Sequence, residues 1–353
     1  MNADIWSPRP ARVAVFRALQ LGDMLCAVPA LRALRAFLPQ ADITLVGLPW
    51  AADFVARYRH LVDDFIALPG YPGNPEQEGP VEGLLDCLNA ARERRFDVAL
   101  QMHGDGAITN RIVALMGAGR MAGFRARGSQ PRPGFIPWPD SQREPHRYLS
   151  LMAFLGVPLQ GDHLEMPLED ADHAGWRALA TEHGLVAGGF VCIHPGARMR
   201  SRRWPVERFV AVGRALAANG WRVVVTGSPG EAGLTAAVAS GLPGTVDLTG
   251  RTTLGSLAAM LRESALLVCN DTGISHVAAA VGAKSVVVAS GSDVNRWAPL
   301  DPTRHAVVWR DMPCRPCAHE TCPVGHGCAL GVGVPEVLVR ARAFLAERLP
   351  DAA

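Results

Sequence analysis

Val268-Cys269-Asn270-Asp271-Thr272-Gly273-Ile274-Ser275-His276-Val277 is the stretch that decides the fold. An apolar run ends in a small polar turn, and an Ala-rich apolar run follows. This is the pattern of a buried strand entering a tight loop and then a helix. Such a junction aims unpaired backbone N–H groups, and the positive end of the helix dipole, at one point in space. Phosphate is the natural occupant. A second glycine-bearing strand exit lies upstream at His194-Pro195-Gly196-Ala197. Two such exits converging on one place propose a nucleotide-diphosphate site.

Outward from these exits, short β-branched runs alternate with longer amphipathic stretches. Residues 12–16, 43–46, 65–68 and 97–101 read as strands, with helices at 23–37 and 81–94. Pro29 is expected to kink the first helix. Residues 120–124 read as a shorter strand. The stretch 123–147 is rich in Pro, Gly and Arg and reads as an excursion loop. Residues 146–155 look helical, and 156–170, without a clear period, form the candidate linker. The rhythm then restarts. Strands are expected at 190–193, 221–226, 266–269, 285–289 and 306–309, and helices at 206–219, 231–239, 273–281 and 335–349. Repeated βα units argue for parallel sheets covered on both faces. The fold class is therefore α/β: two doubly wound, Rossmann-like domains with a cleft between them, ligands lying outside the carboxyl ends of the strands.

The totals agree. A chain of 353 residues with 49% hydrophobic and 19% charged content has the balance of two globular domains. A net charge of +2 gives no bulk attraction to nucleic acid. Lys284 is the only lysine, so a phosphate-gripping cation here has to be arginine. No apolar run is long enough to span a bilayer. Residues 1–10 hold Asp4 and two prolines and lack a basic start before an apolar stretch, so a secretory signal is not expected and a reducing, cytoplasmic setting is. Eight cysteines in a chain this long do not read as a disulfide framework.

Six segments, in order across nearly the whole chain, resemble glycosyltransferase family 9, the bacterial heptosyltransferase family. They are Arg17-Ala18-Leu19-Gln20-Leu21-Gly22-Asp23 with Pro29-Ala30-Leu31 behind it, Gly119-Arg120-Met121-Ala122-Gly123-Phe124, His194-Pro195-Gly196-Ala197, Arg202-Arg203-Trp204-Pro205, Thr226-Gly227-Ser228-Pro229-Gly230-Glu231, and Asn270 to His276. The resemblance implies the GT-B fold. It implies inverting transfer of a sugar, typically heptose from ADP-heptose, to the inner core of lipopolysaccharide, with no required metal. It also implies a division into an acceptor-binding domain at 1–165, a nucleotide-sugar domain at 166–334 and a final helix at 335–353. A lipid-linked acceptor implies peripheral contact with the inner face of the inner membrane.

An inverting displacement needs one base to take the acceptor hydroxyl's proton as the new bond forms. The resemblance assigns this to Asp23, behind Gly22 at the first strand exit; the competing reading is a helix cap. Arg202 stands where the family prefers a lysine on the donor pyrophosphate, and a guanidinium can clamp phosphate bidentately. Ser228 and Glu231 follow another strand; the resemblance gives Glu231 the nucleotide ribose, against the alternative of an ordinary first-turn acid. In the turn Asp271-Thr272-Gly273, Gly273 permits close backbone approach and Thr272 adds a hydroxyl. His276 either contacts phosphate or sugar or braces the loop. Gly196 belongs to the other exit. On the acceptor side, His103 and Asp105 end a strand, against the reading that they are structural, and Arg120 opens an arginine-rich stretch that either meets an acidic acceptor or is an ordinary solvated loop. Separately, Cys314, Cys317, Cys322 and Cys328 are spaced like ligands of a structural Zn²⁺, with an iron–sulfur cluster or free thiols as alternatives. Cys26, Cys87, Cys192 and Cys269 read as core.

Overall fold

The computed structural model describes residues 5–71 and 77–346. The chain divides into two compact units, Met1–His163 and Leu164–Ala353. The first carries β1 (Arg12–Phe16), α1 (Leu21–Phe37), β2 (Asp42–Gly47), α2 (Ala51–Arg57), β3 (Asp64–Ala67), α3 (Val81–Glu93), β4 (Val98–Gln101), α4 (Thr109–Leu115), β5 (Arg120–Arg125), β6 (Phe135–Pro137) and α5 (Glu144–Phe154). The second carries α6 (Asp170–His183), β7 (Phe190–His194), α7 (Val206–Ala217), β8 (Arg222–Val225), α8 (Ala232–Ser240), β9 (Val246–Asp247), α9 (Leu254–Glu263), β10 (Leu266–Asn270), α10 (Gly273–Ala280), β11 (Ser285–Ala289), α11 (Val294–Trp297), β12 (His305–Trp309), α12 (Gly327–Leu330) and α13 (Val334–Ala346). Short 3₁₀ turns at Arg200–Arg202 and Pro229–Glu231 precede α7 and α8.

Each unit is built on one six-stranded sheet, in the orders β3-β2-β1-β4-β5-β6 and β12-β11-β10-β7-β8-β9. Every pairing is parallel. A strand covered on both faces has to be apolar at consecutive positions. Val13 to Phe16 and Leu266 to Cys269 meet that condition, each at most 1% exposed. Counted within its own unit, each sheet runs 3-2-1-4-5-6. The chain's progress reverses between β1 and β4, and again between β7 and β10. In open parallel sheets this reversal opens a crevice beyond the carboxyl ends, where ligands bind.

The cores follow from the same burial. In the second unit Trp204 and Phe209 pack edge to face at 5.1 Å among Val191, Val223, Val268 and Val286. The first unit gathers Phe16, Val46, Leu88, Phe96 and Val113.

Several elements differ from the sequence reading. The excursion loop holds the edge strand β6, paired with β5 at Gly123↔Phe135, and its end starts α5 at Glu144. A three-residue strand is too short for a period to register. Helix α1 continues through Pro29. Helices α2, α4, α6 and α9 were not expected; α6 is mostly polar and buries Asp172, Trp176 and Leu179, a sparse stripe. Its start is fixed by a capping box between Glu169 and Asp172. Helix α13 ends its described length at Ala346, and residues 347–349 of the expected final helix lie outside the described residues.

Candidate functional site

In the first unit the reversal point is organised by Arg17, which is 1% exposed at the end of β1. Its Nη1 donates to the carbonyl of Met102 at 2.6 Å, its Nη2 to the carbonyl of Asp23 at 2.5 Å and its Nε to the same carbonyl at 3.2 Å. The guanidinium lies 4.1 Å over the ring of Tyr148. Tyr148 donates to Glu144 Oε1 at 2.6 Å, and Arg147 pairs with Glu144 Oε2 at 3.0 Å. Burial alone lowers the pKa of Arg17, but the pull of Tyr148, Asp23 and Glu144 overcomes it and leaves the value raised. Arg17 is thus a permanent buried cation that ties the first turn of α1 to the exit of β4.

Asp23 is half-buried in that first turn, after the buried Gly22. It is the acidic residue of that first turn, whose N-cap is Gln20, and its carboxylate favours the positive end of the helix. Nearby, His103 is 8% exposed, and its Nδ1 accepts from the N–H of Ala18 at 3.3 Å. Burial, with the Arg17 charge beside it, pushes the ring down to about 4, so it stays neutral with its proton on Nε2. Asp105 Oδ1 accepts from the N–H of Ala107 at 2.9 Å, an Asx turn. Gln101, which sequence reasoning passed over, accepts from the N–H of Phe124 at 3.1 Å and donates to Thr109 at 2.6 Å and to the carbonyl of His103. Asp23, His103 and Asp105 therefore lie at the carboxyl end of the sheet. Arg120 does not join them. It opens β5, at the amino end, and donates to the carbonyl of Pro8 at 2.8 Å. The acceptor role expected of it is not supported by this placement, because the strand direction carries its start to the other side.

In the second unit Asn270, fully buried at the end of β10, ties neighbouring loops together. Its Nδ2 donates to the carbonyls of Pro195 at 2.7 Å and Gly196 at 3.3 Å, and its Oδ1 accepts from the N–H of Trp204 at 2.8 Å. The quoted motif contained Asn270 but gave no hint of this role. Beyond it, Asp271 is 6% exposed and its N–H bonds the carbonyl of Val288 at 3.0 Å. Thr272 is the N-cap of α10, and Gly273 begins the helix. The hydroxyl of Thr272 makes no capping bond, and Ser275 donates instead to the carbonyl of Thr272 at 2.8 Å. His276 is 5% exposed with its ring 6.0 Å from that of Trp297, edge to face.

Glu231 reaches the exit of β7. Its Oε2 accepts from the N–H and hydroxyl of Ser228, both at 2.8 Å. Its Oε1 fills the space beside Gly196, where a Cβ would lie 1.9 Å away. His194 shares Thr226 Oγ1 at 3.0 Å. Burial lowers the pKa of His194 although the charge of Glu231 pulls the other way. Arg203 donates to the carbonyl of Ala197 at 2.8 Å, and Arg202 is half-buried in the 3₁₀ turn before it. Arg202 Nε, Ser290 Oγ and Ser292 Oγ are buried with no hydrogen-bond partner among the described residues. Glu231, Gly196, Asp271, Thr272, Gly273 and Arg202 thus surround the β7–β10 reversal. The loops offer a carboxylate, guanidinium groups and a helix N-terminus, the set that suits a nucleoside diphosphate.

The cysteines divide as burial suggests. Cys26, Cys87, Cys192 and Cys269 are buried. Burial pushes Cys192 up to about 12 and Cys87 to about 11, so both are inert thiols. The other four lie in or beside the loop before α12. Among the described residues no three His, Cys, Asp or Glu side chains are grouped so as to hold an ion. Cys314 is exposed, Cys328 is buried at α12, and Cys322 Sγ accepts from the N–H of His326 at 3.1 Å.

Comparison with known proteins is consistent with this geometry. The model of glycosyltransferase family 9 (heptosyltransferase) matches residues 87–327. Lipopolysaccharide heptosyltransferase 2 of Escherichia coli K12 is 24% identical over 309 residues, 82% of this chain and 85% of that protein. Lipopolysaccharide heptosyltransferase 3 of Escherichia coli is 30% identical over 151 residues, 40% of this chain, and the match spans only 44% of that relative. The solved structure of E. coli ADP-heptose lipopolysaccharide heptosyltransferase II superposes with a TM-score of 0.72 at 19% identity, covering 95% of this chain and 99% of that one.

Proposed function

Since the chain belongs to glycosyltransferase family 9, we propose that this glycosyltransferase moves a heptose from ADP-heptose to a lipid-linked acceptor of the lipopolysaccharide inner core, with inversion and with Asp23 as general base. The observation that carries the reading is the second unit's reversal point. There the carboxylate of Glu231 fills the space left by Gly196, and the loops that follow β7 and β10 carry Arg202, whose Nε has no partner among the described residues, and the start of α10. In this reading Glu231 Oε1 accepts from the ribose hydroxyls. The backbone amides of α10, with Arg202 and Arg203, hold the diphosphate.

The reaction is a single displacement. The acceptor oxygen attacks the anomeric carbon, the bond from that carbon to the diphosphate oxygen breaks, and ADP leaves with the electron pair. Asp23 takes the acceptor's proton as the new bond forms. Negative charge grows on the departing diphosphate, and in this reading the guanidinium groups and the helix start are what stabilise it. In the first unit, neutral His103 offers an Nε2 proton to an acceptor oxygen. No helix among the described residues is long and apolar enough to cross a membrane. The lipid-linked acceptor is therefore met, in this proposal, by peripheral contact at the cytoplasmic face of the inner membrane.

A thermal-shift panel of ADP, UDP, GDP and CMP tests the donor half. A ligand that binds only the folded chain raises its midpoint. ADP is expected to give the largest rise; a larger response to UDP or GDP would replace the donor and keep the family.

A further inference from the structure

The loop bearing Cys314, Cys317 and Cys322 has no part in the displacement as proposed, yet it grips both flanks of the β10 exit. On one flank it holds Ser201, the residue inside the turn that carries Arg202. The N–H of Ser201 donates to the carbonyl of Glu320 at 2.9 Å, its hydroxyl donates to the carbonyl of His319 at 2.5 Å, and its own carbonyl accepts from Nε2 of His326 at 2.8 Å. On the other flank it holds the exit of β11. The N–H of Cys317 donates to the carbonyl of Gly291 at 2.7 Å. Arg315 donates through Nη1 to the carbonyl of Ala289 at 3.2 Å and through Nη2 to that of Ser292 at 2.6 Å. Arg315 is itself anchored by the carbonyl of Arg310 at 2.6 Å and by Trp309, over whose ring it lies at 5.1 Å.

All three segments meet at Gly291. A Cβ placed there would lie 2.9 Å from Cβ of Cys317 and 3.5 Å from the carbonyl oxygen of Ser201. The segments so gripped carry the buried, unpartnered atoms Arg202 Nε, Ser290 Oγ and Ser292 Oγ. Buried polar groups are nearly always satisfied, so these three are the natural candidates for a ligand's oxygens.

We infer that the cysteine-bearing loop is a bracket that sets the spacing between the Arg202 turn and the Ser290–Ser292 exit, and through it the affinity for the diphosphate part of the donor. Ser201, Gly291 and Arg315 are its positioning residues. This rests on the reading that the second unit binds a nucleoside diphosphate.

The test uses the full chain and three variants, with ADP affinity by calorimetry, donor and acceptor KM, kcat and a melting curve for each. Gly291→Ala adds one methyl at the meeting point. It is expected to weaken ADP binding and raise donor KM by about tenfold, the worth of one charged hydrogen bond. The acceptor KM should be unchanged. Arg315→Ala should act the same way, and Arg315→Lys should recover only part, since one ammonium cannot span three carbonyls. If Gly291→Ala does not fold, Ser201→Ala and Arg315→Ala decide the matter on the same terms. Folded variants that bind ADP as tightly as the parent overturn the bracket. A parent chain that binds no ADP overturns the functional reading instead, which is a separate result.

Discussion

The carboxylate of Glu231 stands where a side chain on Gly196 would have to go: a Cβ there would be 1.9 Å from Oε1. Gly196 is needed for the room it leaves, not for an unusual backbone angle. Gly196→Ala should therefore push Glu231 away from its bonds with Ser228, which the carboxylate accepts at 2.8 Å. ADP affinity is expected to fall by at least about tenfold, with about 1–3 kcal/mol lost from stability through overpacking. Calorimetric titration with ADP checks it. Unchanged affinity would mean that Glu231 does not read the nucleotide.

Asn270→Leu keeps the side-chain size and removes the ties. The N–H of Trp204 loses its acceptor and the carbonyl of Pro195 loses its donor, both inside the protein. Two unmatched buried groups cost on the order of 3 kcal/mol. A thermal midpoint lower by several degrees is expected, together with weaker ADP binding. Chemical denaturation of the variant beside the parent measures the first, and a loss well under 1 kcal/mol contradicts it.

Arg17→Met should act on the base at a distance. It removes a buried cation held to the carbonyl of Asp23 at 2.5 Å and leaves Glu144 with less compensating charge. Stability is expected to fall by about 3 kcal/mol. A cation near a carboxylate favours its ionised form, so without Arg17 the acid limb of the kcat profile should move to higher pH. A limb in the same place in both proteins would remove Arg17 from the account.

Two buried histidines predict how stability responds to acid. His103 and His305 are both pushed down to about 4, chiefly by burial, from an ordinary value of 6.5. The folded chain keeps these rings neutral, while the unfolded chain protonates them below about 6.5. Between those values the unfolded state binds more protons, so stability falls as pH drops from about 6.5 towards 4. Each ring contributes on the order of 3 kcal/mol by the lower end. His305→Asn should flatten the slope of unfolding free energy against pH over that range. An equally steep slope in the variant would contradict the assignment.

Much of this was legible from the residues. Strands covered on both faces leave continuous apolar runs, and Gly22-Asp23, Gly196 and Asp271-Thr272-Gly273 follow those runs. The carboxyl ends of these strands could therefore be found without coordinates, but the strand order that makes them reversal points could not. The ties that hold them could not. Arg17 meets Tyr148, and Asn270 meets Pro195, across long separations in the chain, and no local period records such a pairing. Arg120 shows the same gap: its motif reveals its neighbours but not that it stands at the amino end of its sheet. The spacing of Cys314, Cys317, Cys322 and Cys328 suggested a metal, and it carried no sign of the bonds that the loop's backbone and Arg315 make to two other loops. Strand β6 and helix α6 were hidden by brevity and by polarity.

The central claim is that the carboxylate of Asp23 removes the acceptor's proton while the second unit holds the nucleotide. The most direct measurement is single-turnover sugar transfer from ADP-heptose by Asp23→Asn, with ADP binding measured on the same preparation. Loss of a general base costs about 10²–10⁴-fold in rate, so transfer should fall by that factor while ADP binds as in the parent. Transfer at the parent rate, with ADP affinity intact, would contradict the claim.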